Sequence, residues 1–147
     1  MAGEVYLNLQ NVIDKILPEA INSGLEYAGQ LIENEAKRNL GNGKSGVDTG
    51  ILRASITHEV NEEDSSVSIG TNVECAPYVH EGTGIYNPEG RKTPWIYTTA
   101  DGKTYISHGQ KANPFLQDAV DDNFDNIIKK FENLLKEWLQ NDIRWYF

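Results

Sequence analysis

Apolar positions recur in steps of three and four along two long stretches of this chain and in steps of two along two short ones. The strongest stretch lies within residues 109–139, where Phe115/Leu116, Ala119/Val120, Phe124, Ile127/Ile128, Phe131, Leu134/Leu135 and Trp138/Leu139 form one stripe of helical period. Asn113 is placed to offer a side-chain oxygen at the N-cap, and Pro114 follows at the first helical position, where its missing N–H costs nothing. Asp118, Asp121 and Asp122 sit near the positive end of the helix dipole, with Lys129, Lys130 and Lys136 further along. A second stripe runs from Leu9 to Leu40 through Val12/Ile13, Ile16/Leu17, Ala20/Ile21, Tyr27/Ala28, Leu31/Ile32 and Ala36. Pro18 predicts a kink or break at Leu17. Gly24 and Gly29 each weaken this helix by about 1 kcal/mol relative to alanine. Its firmest part is therefore Glu19 to Asn39, and Gly41 ends it.

Between the helices the period changes to two. Ile56, His58 and Val60 share one face of a strand, an acidic turn covers 61–65, and Val67 and Ile69 resume the alternation, which predicts a hairpin. In residues 75–84 Pro77 opens a single helical turn that Gly82 and Gly84 end, and 85–94 reads as an open loop. Residues 95–107 form a second expected hairpin around a two-residue Asp101-Gly102 turn, pairing Thr99 with Thr104, Thr98 with Tyr105 and Tyr97 with Ile106. Such pairs stabilise a sheet by roughly 0.2–1 kcal/mol each. The glycine-rich stretch 41–50 reads as a mobile connection, and the aromatic end, Trp145-Tyr146-Phe147, either docks on the domain or awaits a partner. The expected fold is α+β, one domain over 1–147. A small antiparallel sheet of two hairpins packs against a long N-terminal helix and a long C-terminal helix. Leu31, Ile32, Phe115, Val120, Ile127, Phe131 and Leu135 are its expected core.

Composition narrows what such a domain does. The net charge is −9, from 22 acidic and 13 basic residues, and a surface of that sign repels phosphates. That argues against gripping nucleic acid, though not against surrounding it. The single cysteine, Cys75, makes no internal disulfide, and there is no leader or apolar run of membrane length, so the chain is expected to be cytosolic when made. Gly43-Lys44-Ser45 looks like the end of a phosphate-binding loop, but Arg38 stands where that motif needs its first glycine. His80-Glu81 begins like a zinc-protease motif, but Gly84 replaces the second histidine, and His58, His108 and Cys75 lack ligand spacing. No serine sits in a nucleophile elbow, and Glu62, Glu63 and Asp64 lie in a solvated turn. No metal, cofactor or catalysis is expected.

Three segments together carry a resemblance. Asp48-Thr49-Gly50-Ile51-Leu52-Arg53-Ala54-Ser55-Ile56 resembles a D-T-G-x-L-R-x-S-I signature that follows an amphipathic helix. The stretch from Ala76 through Tyr78 to Glu81-Gly82-Thr83 is similar to a second segment in which glycine and threonine follow an acid. Residues 110–119, with Asn113-Pro114-Phe115-Leu116, resemble an A-R-P-F-L-x-P-A start of a last helix. In this order they resemble the head–tail joining, or tail-completion, proteins of long-tailed bacteriophages and prophages. Two departures stand out: Asn113 replaces a basic residue, and the loop before Asp48 is longer and glycine-rich. The resemblance implies a non-enzymatic virion protein of the neck or tail top, assembled in the host cytoplasm. Its implied form is a ring, commonly sixfold, between a head connector or stopper protein and the tail terminator or tail tube. DNA would pass through it without specific binding, and no membrane is involved.

Loops 41–50 and 84–94 and the hairpin 95–107 have the content of segments with no core of their own. The expected contacts with neighbours therefore fall at Gly43, Lys44, Gly84, Tyr86, Arg91, Trp95, Tyr97 and Tyr105. Asp48, Thr49, Gly50, Arg53, Glu81, Gly82, Thr83, Asn113, Pro114 and Phe115 are assigned to structure. In that assignment Asp48 or Thr49 caps a short turn, Gly50 permits a bend, and Arg53 pairs with an acid of the same chain. The competing readings are an acidic binding module or inhibitor that acts on one protein, and a small hydrolase. A convergent pocket with a base beside a nucleophile would favour the enzyme.

Overall fold

The computed structural model describes residues 4–6, 10, 12–41, 49–142 and 144–146. In order they form β1 (Glu4–Tyr6), a π-helical turn (Val12–Ile16), α1 (Leu17–Leu40), α2 (Thr49–Ser55), β2 (Thr57–Asn61) and β3 (Ser66–Gly70). After these come α3 (Ala76–Glu81), a 3-10 turn (Gly84–Tyr86), β4 (Trp95–Thr98), β5 (Thr104–Ser107), α4 (Phe115–Asp142) and β6 (Arg144–Tyr146). The fold is α+β, with a long helix towards each end. The two hairpins are present, each as its own two-stranded sheet, β2–β3 and β4–β5, and a third sheet pairs β1 with β6. Its register, Glu4 with Tyr146, Val5 with Trp145 and Tyr6 with Arg144, ties together segments from opposite ends of the sequence.

Pro18 acts as a change of winding. The wider π turn ends at Ile16 and passes directly into α1 at Leu17, so the missing N–H of Pro18 falls where the winding changes. Asn113 lies one residue before Pro114, whose carbonyl opens the last helix. The Asn113 side-chain amide donates to the Asn39 carbonyl at the end of α1 (3.1 Å), and the Asn39 amide donates to the Phe115 carbonyl (3.2 Å). Pro114 lies just before the helix rather than inside it, and its carbonyl accepts the Asp118 N–H at 2.8 Å.

The described residues form two compact units, one from Met1–Ile32, His58–Ile69 and Asp121–Phe147, the other from Glu33–Thr57 and Gly70–Val120. In the first, α1 and α4 meet where Gly24 faces Phe131. A Cβ on Gly24 would collide with the phenyl ring, so only glycine lets the ring rest on the helix backbone. Gly29 makes the same allowance for the His58 ring and the Val67 side chain of the β2–β3 hairpin. His58 Nε2 and Glu26 Oε1 are 2.7 Å apart, and Lys130 Nζ lies 5.0 Å from the Tyr27 ring centre.

Among the described residues the second unit holds the larger side chains that are fully buried: Leu40, Leu52, Ile56 and Phe115. Of the expected core, Ile32 and Phe115 are buried, but Leu31, Ile127, Phe131 and Leu135 are half-buried and Val120 is exposed. Phe131 meets α1 at Gly24, where one side of its ring lies against the helix backbone.

Candidate interaction surface

The hairpin β4–β5 stands on a rigid base. The segments 79–85 and 108–113 run against each other. Asn113 N–H donates to the Val79 carbonyl (2.9 Å), Thr83 N–H to that of Gln110 (2.9 Å) and Ile85 N–H to that of His108 (3.0 Å). Thr83 Oγ1 accepts the Gln110 N–H at 2.9 Å. The approach is so close that a Cβ on Gly84 would collide with the His108 carbonyl oxygen, and Gly84 has φ +61°. The Glu81-Gly82-Thr83 segment thus lies in the framework. Gly84, expected at an interface, is buried in the same place because it must be bare to let the two segments meet.

The hairpin itself differs from expectation by one residue. Trp95 pairs with Ser107, Ile96 with Ile106, Tyr97 with Tyr105 and Thr98 with Thr104. The loop is Ala100-Asp101-Gly102, with Gly102 N–H on the Thr99 carbonyl (2.9 Å), Thr99 N–H on the Lys103 carbonyl (2.8 Å) and Gly102 at φ +81°. This is the three-residue hairpin loop that ends in a left-handed residue. Asp101 favours it: the carboxylate accepts from the Thr99 hydroxyl and from Lys103 N–H, and these bonds hold its pKa below the ordinary value.

A slip of one residue re-pairs every side chain across the strands. One face now carries Ile96 opposite Ile106, 70% and 66% exposed, and the other carries Tyr97 stacked on Tyr105 with centroids 5.6 Å apart. Trp95 is half-buried with the Arg91 guanidinium 6.0 Å over its ring. Tyr86 is exposed, with Lys111 Nζ 6.0 Å from its ring. Reasoning from sequence missed the isoleucine pair because the two-residue turn sets Tyr97 against Ile106. The dipeptide Asp-Gly fits both loops; Thr99 two residues before the aspartate was the available signal for the longer one.

Within the same unit a cleft of about 450 Å³ is walled by Val73, Ala76, Pro77, His80, Phe115 and Leu116, with Glu74 and Glu81 also lining it. His80 meets the Phe115 ring edge-on at 5.4 Å. Glu81 is exposed here, and Arg53 is exposed on α2. Gly50, expected to permit a bend, is a helical residue in α2 with nothing among the described residues within 4 Å of where a Cβ would be. Gly43, Lys44 and Asp48, together with the Thr49 side chain, lie outside the described residues. Among the described residues no cluster of three or more His, Cys, Asp or Glu side chains could hold a metal, and no helix is long and apolar enough to cross a membrane.

The model of one protein family, described as "Bacteriophage HK97-gp10, putative tail-component", matches residues 4–82, more than half of the chain. No curated protein and no solved structure matches it.

Proposed function

The chain belongs to the bacteriophage HK97-gp10-like family of tail components, and we propose that it forms a ring at the neck or tail top that joins the head to the tail. It is a structural protein of the virion. The observation that carries the finer reading is the hairpin β4–β5, which exposes an isoleucine pair on one face and a tyrosine pair on the other. A two-stranded hairpin is marginal by itself, and large apolar and aromatic groups shown on both faces suit a part completed by its neighbours.

In this reading copies of the chain associate in a ring, six to a virion, between the head connector or stopper and the tail terminator or tube. The protein catalyses nothing. The acidic surface, including Glu62, Glu63 and Asp64 at the β2–β3 turn, lets DNA pass without sticking, because like charges do not condense on phosphates. Deletion of the gene from its phage should yield filled heads and complete tails that do not join, with joining restored by added protein. Immunogold label should fall at the neck. Label spread along the tail, or normal joining without the protein, would overturn the assignment.

A further inference from the structure

We propose that the β4–β5 hairpin of one copy seats its Ile96/Ile106 face in the Val73–Phe115 cleft of the next copy, so that the chain associates head to tail through two different surfaces. This deepens the ring reading and rests on it.

Three observations point to a second copy of this chain as the occupant. The first is shape and polarity. Ile96 and Ile106 stand directly opposite each other on a projecting two-stranded element, and the cleft offers apolar walls from Val73, Ala76, Pro77, Phe115 and Leu116. Its volume of about 450 Å³ is in the range that encloses a compact group. The second is that the hairpin of the same chain does not line this cleft.

The third is charge. Residues 84–111 carry Arg91, Lys92, Lys103 and Lys111 against Glu89 and Asp101, a net +2 within a chain of −9. The cleft is lined by Glu74 and Glu81, both exposed and neither paired with a base among the described residues. The hairpin itself is neutral, with Lys103 and Asp101 3.8 Å apart, and the excess positive charge sits in the segments that flank its base, Arg91, Lys92 and Lys111 against Glu89. These are attracted to another copy of an otherwise acidic chain and find their complement at this acidic rim. Because projection and cleft are different surfaces, the contact is heterologous. Such contacts repeat and close into a ring when the rotation permits.

Cys75 provides the test. It is the only cysteine, partly accessible, and lies between the cleft residues Glu74 and Ala76. Thr98 is exposed two residues from Ile96, hence on the same face of the hairpin. The full-length Thr98→Cys protein, assembled into rings or incorporated into virions, is treated with a short bis-maleimide and run on a denaturing gel. The expected result is a ladder of dimer, trimer and higher species. It should vanish in Thr98→Cys with Cys75→Ser, and in Thr98→Cys with Ile96→Asp.

In parallel, Ile96→Asp should weaken self-association about tenfold or more while leaving the thermal melt of the free chain unchanged, since Ile96 is exposed. Rings visible by electron microscopy with no ladder, or with only an internally linked monomer, would overturn the docking and leave the ring intact. Cross-links from the thiol introduced by Thr98→Cys to another virion protein would overturn it in favour of that partner. A chain that never forms rings and is absent from virions would overturn both readings.

Discussion

Phe115 is the residue on which the second unit depends. It is fully buried, the His80 ring meets it edge-on, and its carbonyl is held by Asn39. Phe115→Ala should cost about 3–5 kcal/mol in urea unfolding, the usual range for a buried phenylalanine truncated to alanine. Phe131→Ala should cost roughly half of that, because its ring is only half-buried. At Gly50 the sign reverses. The residue is helical and no described residue crowds it, so Gly50→Ala should raise stability by about 0.5 kcal/mol through a less flexible unfolded chain. A loss of stability instead would mean that the bend expected from the Asp-Thr-Gly sequence is real. Asp101 predicts a local pH dependence. Its folded pKa is lowered, first by the Thr99 hydroxyl and then by Lys103 N–H. The turn is therefore favoured by the carboxylate above the ordinary value of 3.8, and that contribution is lost as pH falls through the lower folded pKa. The Lys103 amide proton, followed by NMR, should move in that acid window and stay still in Asp101→Ala.

Among the elements, α1 and α4 share the most specific fit, Gly24 under Phe131. Gly24→Ala gains about 1 kcal/mol of helix propensity, but overpacking against the ring costs typically about 1–3 kcal/mol. The single variant should thus be neutral or less stable, whereas in a Phe131→Ala background the same change should stabilise. A double-mutant cycle measures this coupling, and independent, additive effects would refute the contact. This pair also marks the limit of what the pattern of residues discloses. Helical period and the proline and glycine punctuation made α1, α4 and both hairpins legible, because each is a local property of the chain. Which flank of the α4 stripe is covered depends on what lies opposite. Val120 and Phe124 are exposed although they fit the stripe as well as Phe115 does. The β1–β6 pairing is three residues long and joins opposite ends of the sequence, so no local signal announces it. The hairpin register turned on a loop choice that Asp-Gly alone does not decide. At the candidate surface, Tyr86, Arg91, Trp95, Tyr97 and Tyr105 were legible as a loop and hairpin without a core. The isoleucine pair and the cleft required the register and the fold.

For the molecule as a whole, burial is uneven, and that predicts where it opens. Among the described residues the four largest fully buried side chains, Leu40, Leu52, Ile56 and Phe115, lie in the second unit, whereas those buried in the first are small or few, Ala20, Ala28 and Ile32 among them. Local opening is easiest where few apolar groups are enclosed. In the free protein, amides of 36–40, 52–56 and 117–119 should therefore exchange slowest and those of α4 beyond Phe131 faster. The hairpin β4–β5 should exchange fastest of the paired strands, since two strands with exposed side chains on both faces have little to hold them. On assembly the order should change in one place. If Ile96 and Ile106 become enclosed between copies, residues 95–98 and 104–107 gain the most protection, while the Phe115 region, already protected, gains little. Hydrogen exchange on the free chain and on assembled particles reads this directly. Equal protection of 95–107 in both states would show that the hairpin is already stabilised within its own chain. The proposed dependence on a neighbour would then be lost.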